Sequence, residues 1–321
     1  MPEAMPRRAL LLGGGAALVL PWLSGCAAEA AQPSGPARGD VPVLVGAIAS
    51  EQNLIAAYEA ARSARPALAG RLDPVLAHHR EHLAVLKRHY VPGSGDRADE
   101  GGALPPPPGP PTASQGSPLA ELRAAEDRAA RGRIADAAKA GPALAQLLAS
   151  IGACEAGHAG VAGGGVPAVR STSGAEAVQT ALAAEHAAVY GYGVLGARLS
   201  GTLRATAKDM WNEHRAQRDE LRSILTAEPV QAATAYRLPV RVTSTRTAAR
   251  LAAALEDGLV PAYVGLAGVS SPGLRAFAAD SARRAMARSA RWRARAGGAA
   301  PRDAFPGLPA AALAPRPEPG E

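Results

Sequence analysis

Rings are scarce in this chain. Phe, Trp and Tyr together account for 3% of its 321 residues. A sheet protein draws on aromatic and β-branched side chains to cover its pleated faces. The shortage therefore argues against sheets and for helices packed closely on small side chains. Cysteine is scarcer still: only Cys26 and Cys154 are present, which excludes a disulfide framework. Cys154 sits in an apolar helical pattern and reads as a small buried core residue. Also missing are a CxxC pair, a nucleophile elbow and a phosphate loop. The glycine runs "GAALVLPWLSG" and "GVAGGGV" lack the strand–loop–helix setting that a nucleotide site needs. The apolar run at Ala9–Leu23 is too short and too glycine-rich for a good membrane span.

The N-terminus is where that run belongs. It follows Arg7 and Arg8 and ends in small residues, the pattern of an export signal over residues 1–25. "LSGC" at 23–26 resembles the lipobox of bacterial lipoproteins. That resemblance implies cleavage before Cys26, acylation of Cys26, and a chain held by membrane lipid on the outer face of the cytoplasmic membrane. Arg7-Arg8 resembles a twin-arginine signal; the general route and the twin-arginine route both stay open. Residues 26–42 are then a polar tether. The formal charge is +7, and loss of 1–25 removes Arg7, Arg8 and Glu3 to leave +6. For an exported protein this charge excludes nucleic acid as the expected partner and favours anionic headgroups or envelope polymers. The crowd of Arg283, Arg284, Arg288, Arg291, Arg293 and Arg295 reads as a solvated basic face.

What the chain has in quantity is Ala, Leu and Arg, with Glu beside them in stretches such as 119–150, all good helix formers. Helical patterning starts near Val43, breaks over the Pro-rich loop 91–118, and resumes over 119–159. A second break at 160–174 marks a domain boundary. Further helices are expected at 174–199, 201–226, 244–269 and 272–296, then a Pro-rich tail (301–321) with a docked "FPGL". Eight helices in two sets of four predict an all-α chain of two tandem four-helix bundles, 43–160 and 172–300.

The seams of the first set carry polar residues where apolar ones belong. Helix one reads Leu44, Ile48, Glu51, Ile55, Tyr58. Helix two places His79 and His82 on or beside its seam, helix three Glu126, and helix four Glu155 and His158. Buried charges are normally paired or bound to metal. Four helices with such residues near their middles call for a shared partner. The spacings agree: Glu51 precedes His79 by 28 residues and His82 by 31, while Glu126 precedes Glu155 by 29 and His158 by 32.

This pattern resembles the ferritin-like superfamily, with Glu on helices one and three and Glu-x-x-His on helices two and four. Helix four matches at Glu155 and His158. Helix two reads His79-Arg-Glu-His82, with His in place of the bridging Glu, and His78 is an alternative to His79. The resemblance implies metal ligation by Glu51, His79, His82, Glu126, Glu155 and His158. A site this rich in imidazole suits Fe, Mn, Zn or Cu. The metal-free alternative is a polar core in a helical scaffold that binds an envelope partner. No catalytic constellation stands beyond the candidate metal site, so an enzyme is not expected.

The second set, through "ALAAEHAAVYGYGVLGARLSG", "NEHRAQRDEL" and "LEDGLVPAY", resembles a ferritin-like family of unknown function found as the C-terminal domain of exported actinobacterial proteins. It reads as a diverged copy of the first. Glu185 and His214 lie on seams 29 residues apart, but Gln217 stands where the second imidazole would be. Glu256 and Asp280 fall at seam edges. The expectation is a ligand-poor polar network of Glu185, His214, Arg218 and Asp219.

Overall fold

Proline and glycine set many of the boundaries in the computed structural model, which describes residues 40–90, 106, 117–160, 174–298 and 303–313. The described residues form eight α-helices: α1 Asp40–Ala64, α2 Ala69–His89, α3 Pro118–Lys139, α4 Pro142–Gly160, α5 Gly174–Gly196, α6 Gly201–Ser223, α7 Thr245–Leu266 and α8 Pro272–Ala296. Pro opens α3, α4 and α8, where its missing N–H costs nothing and its fixed φ suits the first turn. Gly141-Pro142 divides the stretch 119–159 into α3 and α4. Gly297, at φ 69°, closes α8 in the left-handed conformation. The chain is all-α, and no strand occurs among the described residues. The export signal, Cys26, and almost all of the tether and the Pro-rich loop lie outside them.

Each set of helices pairs in the same way. In the first, α1 packs on α2 and α3, and α3 on α4; in the second, α5 packs on α6 and α7, and α7 on α8. The sets then share an interface, α8 against α3 and α4 with α7 on α4, inside one compact unit, Ser34–Glu321. One apolar core runs through both, from Leu44, Ile48 and Leu148 to Leu182, Val260 and Met286. Alanine makes this closeness workable: Ala47, Ala145, Ala153, Ala278, Ala282 and Ala285 are all fully buried. By length and composition α1 is apolar enough to cross a membrane, but half of that stretch is buried inside the protein, and Glu51 is among its buried residues.

The chain after α8 returns to the first set. Residues 304–307 are buried. The Ala304 carbonyl lies 2.7 Å from His82 Nε2, and the Pro306 carbonyl accepts from Ser150 Oγ at 2.9 Å. Phe305 meets the His82 ring edge-on, with centroids 5.2 Å apart. Gly307 makes the turn possible. Its φ is 81°, and a Cβ there would come within 2.9 Å of Pro261 Cα on α7. The expected docked segment 305–308 is thus a strap over α2 and α4.

Candidate metal centre

His79 stands at the middle of the first set. Its Nδ1 is 2.9 Å from Glu51 Oε2 and its Nε2 2.8 Å from Glu126 Oε1. With a carboxylate at each ring nitrogen, the ring is held as an imidazolium. Burial lowers its pKa, but Glu126 and then Glu51 outweigh it and raise the pKa well above the usual histidine value. Glu126 also accepts from the Tyr58 hydroxyl at 2.6 Å. Its pKa falls to about 2, because His79 and His158 outweigh the upward push of burial.

His82 is oriented from outside. Its Nε2 donates to the Ala304 carbonyl, which turns Nδ1 toward Glu51 Oε1, 3.3 Å away. A ring whose outer N–H is fixed on a carbonyl presents its other nitrogen inward, as metal-ligating histidines do. His158 approaches from α4 with Nδ1 3.4 Å from Glu126 Oε1. Burial lowers its pKa despite Glu126, which favours the neutral, ligating ring.

Five of the six expected residues therefore meet: Glu51, His79 and His82 offer atoms within 4.8 Å of one another, and so do His79, Glu126 and His158. Glu155 takes a different partner. Arg133, unremarked in the sequence pattern, enters from α3 and donates to Glu155 Oε1 at 3.2 Å, with Glu51 Oε1 3.6 Å away. Gly152 leaves it room, since a Cβ there would sit 2.8 Å from Arg133 Cβ. Burial, aided by Glu51 and Glu126, pushes the Glu155 carboxyl well up despite Arg133. Glu51 Oε1, His82 Nδ1, Glu126 Oε2, Glu155 Oε2 and His158 Nδ1 are buried without a hydrogen bond among the described residues. A cavity of about 230 Å³, lined by Tyr58, Leu72, Val75, Leu119, Leu122 and His158, lies beside the centre.

The second set repeats this geometry with another ending. His214 Nδ1 is 2.9 Å from Glu185 Oε2 and its Nε2 3.2 Å from Glu256 Oε1. Tyr192 donates to Glu256 as Tyr58 does to Glu126, and each Tyr lies seven residues after its own helix's Glu. Arg288, 32 residues after Glu256, takes the place of His158, 32 after Glu126. Its Nε donates to Glu256 Oε2 at 2.9 Å, and Tyr263 donates to Glu185 Oε1 at 2.5 Å. Both carboxylates are fully hydrogen-bonded. Burial works against the charge, yet Glu256 and Glu185 lift His214 to about 9, while Arg288 and His214 hold Glu256 at about 2.

Two sequence expectations are corrected here. Arg218 and Asp219 pair with each other at the surface and stay outside the network, whose real members are Glu185, His214, Tyr192, Tyr263, Glu256 and Arg288. Arg288 is buried on Glu256 and leaves the solvated basic face. The residues missed were the long ones. An Arg on an amphipathic helix looks solvated, and periodicity shows which way it points but not how far it reaches. The seven-residue Glu–Tyr spacing, shared by both sets, was the available signal for the tyrosines.

Residues 177–310 match a family model described as a domain of unknown function, DUF4439, so the C-terminal part of the chain carries that domain. A crystal structure of a conserved hypothetical protein from Mycobacterium tuberculosis is 30% identical, over 38% of this chain and 89% of that one, with a TM-score of 0.37. No curated protein matches.

Proposed function

We propose that this is an exported, lipid-anchored protein of two tandem ferritin-like bundles, whose first bundle binds a divalent metal ion among Glu51, His79, Glu126 and His158, with His82 alongside. One observation carries the metal reading. The first centre buries two carboxylate oxygens, of Glu51 and Glu126, and two imidazole nitrogens, of His82 and His158, without a hydrogen bond, and its candidate ligand atoms fall in two triads that share His79, Glu51–His79–His82 and His79–Glu126–His158, each within 4.8 Å. Leaving such groups uncompensated is costly, and a cation compensates them together. The donor set, carboxylate with imidazole, fits Fe, Mn or Zn and accepts Cu. Such an ion would supply Lewis acidity or redox chemistry. The residues hold it in place: His82 is locked by the Ala304 carbonyl, Tyr58 fixes the Glu126 carboxylate, and the cavity beside His158 gives small molecules a way in. His79 must release a proton to ligate, so binding strengthens as pH rises.

The repeated helix pairing and the repeated Glu–His–Glu–Tyr arrangement support the tandem-bundle reading. The lipobox-like "LSGC" supports anchoring through Cys26. Elemental analysis of the mature protein tests the metal directly. About one equivalent of Fe, Mn, Zn or Cu at this centre is expected, so that Glu126→Gln lowers the total metal content by that equivalent. No metal, and no thermal shift with any of the four, leaves the scaffold reading. Cys26→Ala should release the protein from membranes.

A further inference from the structure

Behind His158 lies a second group of donors. Cys154, one turn earlier on α4, has its Sγ 3.4 Å from His158 Nε2 and 3.8 Å from His78 Nδ1. The two ring nitrogens are 3.0 Å apart. We propose that His78, Cys154 and His158 form a further metal site, which shares only His158 with the carboxylate centre and is selective for a thiophilic d10 ion, Zn(II) or Cu(I).

The dimensions carry this. A point about 2 Å from all three atoms exists at these separations, close to the ~2.0–2.1 Å of a metal–imidazole bond and slightly inside the ~2.3 Å of a metal–thiolate bond. Tetrahedral or trigonal coordination would leave the donors where they already are. The set is soft, one thiolate with two imidazoles, and this composition favours Zn and Cu over Mg, Ca or Mn. The surroundings agree. Cys154 and His158 are buried and His78 lies at the edge of the buried core, shielded by the strap, whose Asp303 carbonyl lies 3.6 Å from Sγ. Burial, with Glu126, Glu155 and Glu51 nearby, keeps the free thiol protonated well above its usual pKa. Loading therefore releases one proton from sulfur to solvent as the metal–sulfur bond forms, and the proton shared between His78 Nδ1 and His158 Nε2 moves to the other nitrogen of its ring, with no change of oxidation state.

His158 faces both ways, Nδ1 to Glu126 and Nε2 to Cys154. With the thiolate site alone loaded, His158 Nδ1 keeps the ring proton toward Glu126; with both centres loaded, His158 gives that proton to solvent and bridges them as an imidazolate. The counterpart pair in the second set is informative. Glu213 and Arg288 occupy the positions of His78 and His158 and form an ion pair at 3.2 Å, so that half carries no equivalent site.

The test uses the mature chain with Cys26→Ala, in which Cys154 is the remaining thiol. Anaerobic titration with Co(II) should give a near-ultraviolet thiolate-to-cobalt charge-transfer band that Zn(II) or Cu(I) then displaces. Cys154→Ala should abolish the band at unchanged helicity and weaken Zn(II) binding by more than about 100-fold, beyond the range of an outer-shell change. Glu126→Gln should keep the band. No band at saturating cobalt, or a band that survives in Cys154→Ala, overturns the proposal. Cobalt binding that is band-free and lost in Glu126→Gln also overturns it and leaves the carboxylate centre standing. One band-bearing equivalent, insensitive to Glu126→Gln, supports the thiolate site and removes the carboxylate one.

Discussion

The two halves of this molecule solve one problem in two ways. Each buries a His between two Glu and locks one Glu with a Tyr. In the second half Arg288 and Tyr263 complete the set, and each carboxylate oxygen of Glu185 and Glu256 has a donor. In the first half neutral His158 stands where Arg288 would, and oxygens of Glu51 and Glu126 are left without one. Arg288 gives the last carboxylate oxygen of the second centre its donor, although its own Nη2 is left without a partner among the described residues. With an imidazole in its place, the same frame gathers groups that could hold a metal ion. The comparison teaches that the presence of buried Glu and His does not identify a metal site; what distinguishes one is an unbalanced donor count.

The comparison can be broken most forcefully at Arg288. Arg288→Ala leaves the buried Glu256 Oε2 without its donor and should cost about 3–5 kcal/mol, read by urea denaturation, with no dependence on added metal. A loss under about 1 kcal/mol would show that the second centre does not rest on its guanidinium. Next comes the metal itself. At one hundred times its Kd a bound ion should stabilise the wild type by about 2.7 kcal/mol. Thermal melts should show this gain disappear in His79→Ala and persist in His214→Ala. Equal loss in both would erase the distinction between the halves.

The pH response should separate them further. His214 has a raised pKa, so its contribution is complete below about 6.5 and is lost as pH climbs through about 9. Glu256 has a lowered one, so its contribution is complete above about 4.5 and fades as pH drops toward about 2. Stability from the second centre should therefore plateau between those limits and fall on the alkaline side by at most about 1.4 kcal/mol per pH unit for one proton. His214→Ala should flatten that alkaline limb in denaturation midpoints. The smallest effect belongs to Arg218, which pairs with an exposed Asp219. Arg218→Ala should shift stability by less than about 0.5 kcal/mol; a larger change would put it back in the network.

Much of this was legible from spacing. The 3.6-residue period placed Glu51, His79, Glu126 and Glu155 on buried seams, and all four are buried. Helix ends followed Pro and Gly closely: the expected 272–296 is Pro272–Ala296, and 244–269 is Thr245–Leu266. Interactions reaching between helices were not legible. Arg133 diverts Glu155 because Gly152 admits it, a fact of close approach that no single helix pattern contains. Glu256 appeared to sit at a seam edge because its partners, Tyr192 and Arg288, are 64 and 32 residues away. The Ala304 contact that orients His82 spans 222 residues.

That last contact also sets an order of events during synthesis. His82 emerges from the ribosome early, but the carbonyl that fixes its ring is made 222 residues later. Until then the first centre has its helices and not its cover. A chain stopped before Ala304 would carry every carboxylate and imidazole of that centre with His82 free to rotate. The cover of the first centre is thus supplied only once the chain beyond α8 has been made.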